Sequence, residues 1–562
     1  MTFPDRTIRP GAALDADGRY RGLERGPAEP RSTRTELAPG ATPDPGATVA
    51  RFVQLTDFQI ADPVSPGCLT FLHGLAGRPG WEFMFPAYRP QEPVALQAFE
   101  ATIRTLRELG TGTIDFVVTT GDNIDSAQSN ELSALFALLD GDTVLDPNFG
   151  ATETKTLPAH AVSAEFYNPE PESRDVYKRE HGFPDVPGLL AAAARPFRTR
   201  GLGVPWLACF GNHDCLVQGR APVTPEYQAL VTGDSAPTAL GIDPPADPMR
   251  RYLPDPTVLS QGPAVPIAAR ADRRVISPAE YVRAHLDSPT EPRGHGFTEQ
   301  NLIEGTTYYS YDAVPGVRMI VLDSTHPAGH VTGSIGARQW DWLVDQLIAA
   351  HSSYRGEDGA IVRTGNRDRA VIIASHHGLG ILTNSTPDPD GETRYLAADL
   401  EALLHRFGNV VLWIAGHEHR NEVTPRRRPP DPQEDPAGGF WHILTSGLCE
   451  WPCQTRLLEL VLPQQDSNHL IIRSTMIDHS APERPGPALE LLDLASLHRE
   501  LSFNEPTRVG GPHSAGTPAD RTVDLIVPVS PALLASLRGA MARSEQPSTG
   551  DRDGNAVVLG PN

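Results

Sequence analysis

One hydrophobic pattern repeats along this chain. The apolar run Arg51-Phe52-Val53-Gln54-Leu55 stops abruptly at Thr56-Asp57, as a buried strand does when it delivers a polar side chain at its C-terminal end. The pattern recurs four times. Ile114 to Thr119 leads into Gly121-Asp122-Asn123-Ile124-Asp125, and Trp206 to Phe210 into Gly211-Asn212-His213-Asp214. Val371 to Ala374 leads into Ser375-His376-His377-Gly378, and Val410 to Ala415 into Gly416-His417-Glu418-His419.

Helical periodicity fills the gaps between these runs. Leu96, Phe99, Ile103 and Leu106 form one stripe in 94–109; Trp340, Leu343 and Leu347 another in 336–351; Leu400, Leu403, Leu404 and Phe407 a third in 396–407. Further strands are predicted at 307–312, 317–322, 440–446, 455–462 and 469–477, with a hairpin at Val314-Pro315-Gly316. Strands alternating with helices predict an α/β fold. Residues 1–48 lack periodicity and read as an irregular N-terminal arm. The main domain is placed at 49–480, with long insertions at about 140–200 and 216–305 that either cap a site or decorate the surface. A C-terminal extension follows at 481–562. It contains a Gly/Pro-rich linker at 505–520 and a short strand and helix at 521–541.

Composition narrows the chemistry. With 70 acidic against 48 basic residues the formal charge is −22, which argues against nucleic acid or an anionic membrane as partner. Lys155 and Lys178 are the only lysines, so a phosphate clamp outside any metals would be guanidinium. The five cysteines lack zinc-ribbon spacing and are expected as reduced thiols, with a local Cys449–Cys453 bridge as the alternative. No apolar run approaches the roughly 20 residues a bilayer span needs. No export signal stands in the first 45 residues, so a cytoplasmic protein is expected.

Asp, Asn, His and Gln at strand ends supply oxygen and nitrogen ligands without a thiolate. That set suits Mn²⁺, Fe, Zn²⁺ or Mg²⁺ in an open hydrolytic site. Two cations about 3.5–4 Å apart need a bridging carboxylate, and Asp122 on its glycine turn is the candidate. His417 and His419 either share one side of an extended segment or diverge toward two metals.

The ordered series Asp57-x-Gln59, Gly121-Asp122-x-x-Asp125, Gly211-Asn212-His213-Asp214, His376 and Gly416-His417-x-His419 resembles the calcineurin-like metallophosphoesterase family over roughly residues 50–480. The resemblance implies a four-layer α/β/β/α sandwich of two mixed β-sheets flanked by helices. It also implies a dinuclear centre that hydrolyses a phosphomonoester, phosphodiester or nucleotide pyrophosphate through a metal-bridging hydroxide. Asp57, Gln59, Asp122 and His419 would surround one metal, and Asp122, Asn212, His376 and His417 the other. His213 would face the phosphoryl or leaving-group oxygen, with Asp214 orienting its ring.

One position departs from the family pattern. The first motif usually ends in His, whereas Gln59 offers only an amide oxygen, which favours Mn²⁺ or Mg²⁺ at that site. The segment Asp57-Phe58-Gln59-Ile60-Ala61-Asp62 is similar to the manganese-dependent ADP-ribose and CDP-alcohol diphosphatase branch. Gly447-Leu448-Cys449-Glu450-Trp451-Pro452 and the long spacers resemble a bacterial branch whose members often carry a twin-arginine leader. A rival class is a metal-binding protein that has lost catalysis, with Gln59 as its marker and the insertions serving a partner.

Other polar residues have plainer readings. Asp125 is expected as a supporting or turn carboxylate, and Asp62 away from metal. His73, His326, His330 and His442 are expected to be structural or at the surface. Arg420 and His377 divide evenly between site and plain roles, and Trp81, Phe83, Phe85 and Tyr88 are expected to anchor a loop to the core, with stacking on a nucleobase near the site as the alternative.

Overall fold

The computed structural model describes residues 6–110, 112–149, 163–429, 438–464 and 467–544; Lys155 and part of the first insertion lie outside them. The architecture is mixed α/β, built on two large mixed sheets. In the seven-stranded sheet the order is Ser32–Arg34, Val523–Pro528, His469–Asp478, Gln454–Pro463, Gly46–Leu55, Phe116–Thr119 and Trp206–Leu207. The last three run parallel, so their C-terminal ends open on one edge. The six-stranded sheet runs Tyr309–Val314, Val317–Val321, Ala370–Ala374, Val410–Ala415, Gly439–Leu444 and Glu422–Arg427, with its four middle strands parallel.

Period-two alternation fixes how the sheets pack. Met319, Val321, Ile372, Leu412 and Ile414 point into a core shared with Phe52, Leu458, Leu470 and Leu525 of the other sheet. Their neighbours Ile320, Val371, Ile373 and Trp413 point the other way. They are covered by the helices Ala337–Ala349 and Ala397–Leu404 through Leu343, Leu347, Leu400, Leu403 and Leu404. All four predicted stripe residues of the helix Ala95–Leu109 are buried, and Phe99 meets Phe58 edge-on at 5.2 Å. Trp340 is only half-buried, because it stacks on Tyr395 at 4.0 Å at the helix flank.

Three sequence expectations differ from the structure. The arm 1–48 carries a hairpin, Arg6–Ala13 with Arg21–Pro27, and the strand Ser32–Arg34 joins the large sheet beside Val523–Pro528. Its arginines concealed the alternation. Yet Tyr20 packs on Leu494, Leu497 and Leu501 of the helix Leu491–Asn504, and Leu23 lies against Trp451. The strand Glu422–Arg427 was missed because it holds Pro425 and two arginines, which an edge position tolerates. The third concerns the linker 505–520, which folds against the main body: Asn421 donates its backbone N–H to the Ser514 carbonyl at 2.8 Å. The expected strand and helix after it are Val523–Pro528 and Pro531–Ser544. All five cysteines are free thiols.

Candidate metal centre

The strand ends converge by an unusual backbone. Asp57, Gln59, Asp122, His417 and His419 all adopt left-handed conformations, with φ of 50°, 43°, 52°, 68° and 48°. Such geometry costs about 1–3 kcal/mol per non-glycine residue and persists where the surroundings enforce it, as they do at functional sites. Here the loops lock one another. Asp57 N–H donates to the Gly121 carbonyl, Gln59 N–H to the Asp122 carbonyl, Cys449 N–H to the Asp57 carbonyl and Gly416 N–H to the His376 carbonyl. Gly121 has φ 87°, and a Cβ there would stand 2.7 Å from His376 Nδ1, so the tight turn and the close ring both require glycine.

Side chains from several strand ends lie close together around the buried Asp122. Asp122 Oδ2 lies 3.1 Å from His376 Nε2, and His376 Nε2 lies 3.1 Å from His417 Nδ1. Asp57 Oδ1 lies 3.2 Å from His419 Nε2. One donor atom each from Asp57, Asp122 and His376 falls within 4.8 Å of the others, and the same holds for His376, His377 and His417. Asn212 donates its amide N–H to the Gly219 carbonyl at 2.9 Å, while its buried Oδ1 has no hydrogen-bond partner. Asn212 lines the cleft with Asp122 and His417, so this unpartnered oxygen is free to meet a cation there. These buried His and Asp clusters could hold metal ions.

Electrostatics prepare Asp122 and His417 for coordination. Burial alone would raise the Asp122 carboxyl, but His376 and His213 hold it well below the usual carboxylate range. Burial, reinforced by His376, pulls His417 down to about 3, which leaves a neutral imidazole for coordination. Against the effect of burial, however, Asp122 pushes His376 up to about 9, and Cys449 and Glu450 push His419 up, so these two rings must give up a proton to a metal.

Gln59 departs from its expected place. Its Oε1 accepts from Arg89 Nη2 at 2.6 Å and from the Cys449 thiol at 3.4 Å, while its Nε2 approaches Asp122 Oδ2 at 3.3 Å. The amide oxygen expected to ligate is therefore already bonded. Around it lies a network that sequence reasoning overlooked. Glu450 pairs with Arg89 Nε at 2.8 Å, lies 3.3 Å from His419 Nδ1 and accepts the Val509 N–H at 2.9 Å. Burial would raise Glu450, yet His419 and Arg89 bring it down to about 2. A carboxylate behind a ligating imidazole fixes its ring orientation and basicity. The only signal for Glu450 was its place just beyond the strand end at Leu444, in the segment already singled out.

His213 lines the cleft, but Asp214 does not orient its ring. Nδ1 of His213 lies 2.7 Å from the Asp125 carbonyl and 3.5 Å from Asp125 Oδ1. The Asp214 carboxylate instead accepts the N–H groups of Gly211, Asn123 and Ile124 at 2.8, 2.9 and 3.1 Å, tying two motif loops together. Three amides converging on one carboxylate leave it facing away from the ring. Asp125 is thus the supporting carboxylate, and Gln218 donates to it at 3.0 Å.

The remaining candidates sort readily. His377 Nδ1 bonds the Ser324 hydroxyl at 2.8 Å, its ring stands 4.5 Å from that of His417, and its buried Nε2 has no partner. Asp62 pairs with Arg273 at 2.8 Å, and Arg420 is taken by Glu418 and Glu422. His73 packs among Tyr88, Phe166 and Tyr177, His326 bonds the Thr386 carbonyl, His330 meets Phe83, and His442 packs on Trp413. Trp81 is buried as a loop anchor, whereas Phe83, Phe85 and Tyr88 line a cleft of about 210 Å³ together with Asp122, Asn212, His213, His417, His419, Arg89 and Arg220.

No protein-family model matches this chain, and no curated protein matches it. Among solved structures the chain is similar to GAP50, described as the anchor in the inner membrane complex of Plasmodium. Identity is 13%, TM-score 0.26, and 76% of this chain and 84% of that chain are covered. It is also similar to PhoD at 12% identity and a TM-score of 0.25, covering 82% of this chain and 74% of that one. Likenesses at these scores carry no argument. Among the described residues no helix is long and apolar enough to cross a membrane.

Proposed function

We propose that this chain is a metal-dependent phosphoesterase with a dinuclear centre, Mn²⁺ being the favoured cation, acting on a phosphomonoester, phosphodiester or nucleotide pyrophosphate. The observation that carries this reading is the convergence of Asp57, Asp122, Asn212, His376, His417 and His419 from five separate strand ends, with the Asn212 amide oxygen left without a donor. Two bound cations would polarise the phosphate and supply an acidified water. The chain's own residues do the rest. Asp122 stands between the two ligand groups, His213 presents Nε2 into the cleft, and Asp125 holds that ring's far side. The frame would be a four-layer α/β/β/α sandwich over 49–480, with the insertion at about 216–305 contributing Gln218 and Arg220 to the cleft, the insertion at about 140–200 as surface decoration and 481–562 as an extension.

The engagement of Gln59 with Arg89 favours a second reading, a metal-binding protein with impaired catalysis. One experiment separates them. Protein dialysed against Mn²⁺ is assayed for bound metal and for hydrolysis of an aryl phosphate. Close to two metals per chain with turnover supports the enzyme; bound metal with no turnover under Mn²⁺, Zn²⁺, Fe²⁺ or Mg²⁺ supports the binding protein.

A further inference from the structure

Among the described residues five arginines are buried; Arg499, away from the cleft, donates to the carbonyls of His479, Ala481 and Pro482, and Arg89 and Arg220 are the two that line the cleft. Arg89 pairs with Glu450 and Arg273 with Asp62. Arg456 has no carboxylate, yet six oxygens of Thr445, Ser474, Asp520, Arg521, Asn421 and Leu444 cover its nitrogens. Arg220 is 7% exposed and has no carboxylate partner among the described residues. Backbone carbonyls alone hold it: Nε donates to Phe83 at 2.7 Å, Nη1 to Gln218 at 2.6 Å and Nη2 to Pro86 at 3.5 Å. A guanidinium carries five N–H donors, so one hydrogen on each terminal nitrogen is unspent. A buried cation without a direct ion pair is costly; Asp125 acts on it only through space, and an anionic ligand entering the cleft would offset the remaining cost.

Its position says which part of a ligand it meets. Arg220 donates to the Gln218 carbonyl, the Gln218 amide donates to Asp125, and Asp125 holds His213, so the guanidinium stands on the same cleft wall as that ring. Its anchors, Phe83 and Pro86, belong to the outer wall of the cleft, where the Phe83 side chain is 48% exposed. The attacked phosphate belongs with the strand-end ligands, leaving Arg220 for a group farther out.

We infer that Arg220 is a specificity-determining residue that binds a second, non-reacting anionic group of the substrate. Preferred substrates then carry a second phosphate or carboxylate beside the phosphate that is hydrolysed. This rests on the phosphoesterase reading above. Arginine suits the role because its planar fork meets phosphate or carboxylate through two parallel hydrogen bonds.

The test measures binding on the Mn²⁺-loaded full chain by titration calorimetry. The probes are propylphosphonate, with one anionic group, and propane-1,3-diylbisphosphonate, with two. Wild type should bind the bisphosphonate roughly 10–100-fold more tightly, and Arg220→Met should shrink that ratio to about its charge-independent value near one. A ratio unchanged in Arg220→Met overturns the assignment. If that variant does not fold, Arg220→Lys keeps the charge and loses the fork: a ratio reduced roughly three-fold or more supports the assignment, and an unchanged one overturns it. A wild-type ratio near one overturns the Arg220 assignment, and failure of both phosphonates to bind wild type overturns the phosphoesterase reading instead, so the two failures are distinguishable.

Discussion

The two sides of the centre treat their donor atoms differently. On the side of Asn212, His376 and His417, donors are aimed at one another or left without partners, and only the far edges of the side chains are bonded. On the side of Asp57, Gln59 and His419, the Gln59 oxygen is already bonded to Arg89 and Cys449, while Glu450 holds His419 by its far ring nitrogen. A side whose donors lack partners gains the whole of a cation's coordination energy. A side already bonded must first give up its hydrogen bonds, so the second side should hold metal more weakly. Asp122 belongs to both sides, which makes it the place where the contrast can be abolished.

Asp122→Asn should therefore have the largest effect, cutting turnover by about a thousand-fold or more and emptying both sides of metal. Metal analysis alongside an aryl phosphate assay checks this, and near-normal values would sink the shared-carboxylate reading. Glu450→Gln acts on one side only. It should weaken the looser cation about 10–100-fold by freeing the His419 ring, read as a selective drop in one of two calorimetric binding steps. Loss of both steps together would mean that Glu450 serves the fold rather than the ligand.

Gln59→His should shift the same step the other way, by roughly ten-fold, since imidazole outbinds an amide oxygen. Unchanged affinity would mean that Arg89 keeps position 59 out of the coordination sphere. The smallest effect belongs to Glu505, which bonds Gln91 near this network. Burial and the neighbouring Glu450 push its carboxyl up to about 7. The folded state thus holds a proton that the unfolded state has lost between about pH 4.5 and 7, so this group's contribution to stability falls as pH rises through that window. Glu505→Gln should remove a penalty of about 3 kcal/mol at pH 8 and little at pH 4. Chemical denaturation at the two pH values reads the difference.

Much of the centre was legible before folding. Abrupt ends of apolar runs marked the five loops that carry the candidate metal-binding residues, because a strand buried on both faces must be continuous in hydrophobicity and its end is the first place a polar residue can stand. The fold class followed from strands alternating with helices. Edge elements were less visible. Arg6–Ala13 and Glu422–Arg427 carry charge and proline that only a neighbouring strand or helix makes acceptable.

The sequence alone determined which residues arrive at the centre, since strand ends and turns are local properties of the chain. The tertiary structure decided what each arriving side chain does. His213 leans on Asp125 rather than on adjacent Asp214, Gln59 gives its oxygen to Arg89, and Glu450 backs His419. Those choices are made between residues 30 to 88 positions apart. A hydrogen-bond donor chooses among the acceptors that packing brings near it, and that neighbourhood does not exist until the sheets have closed.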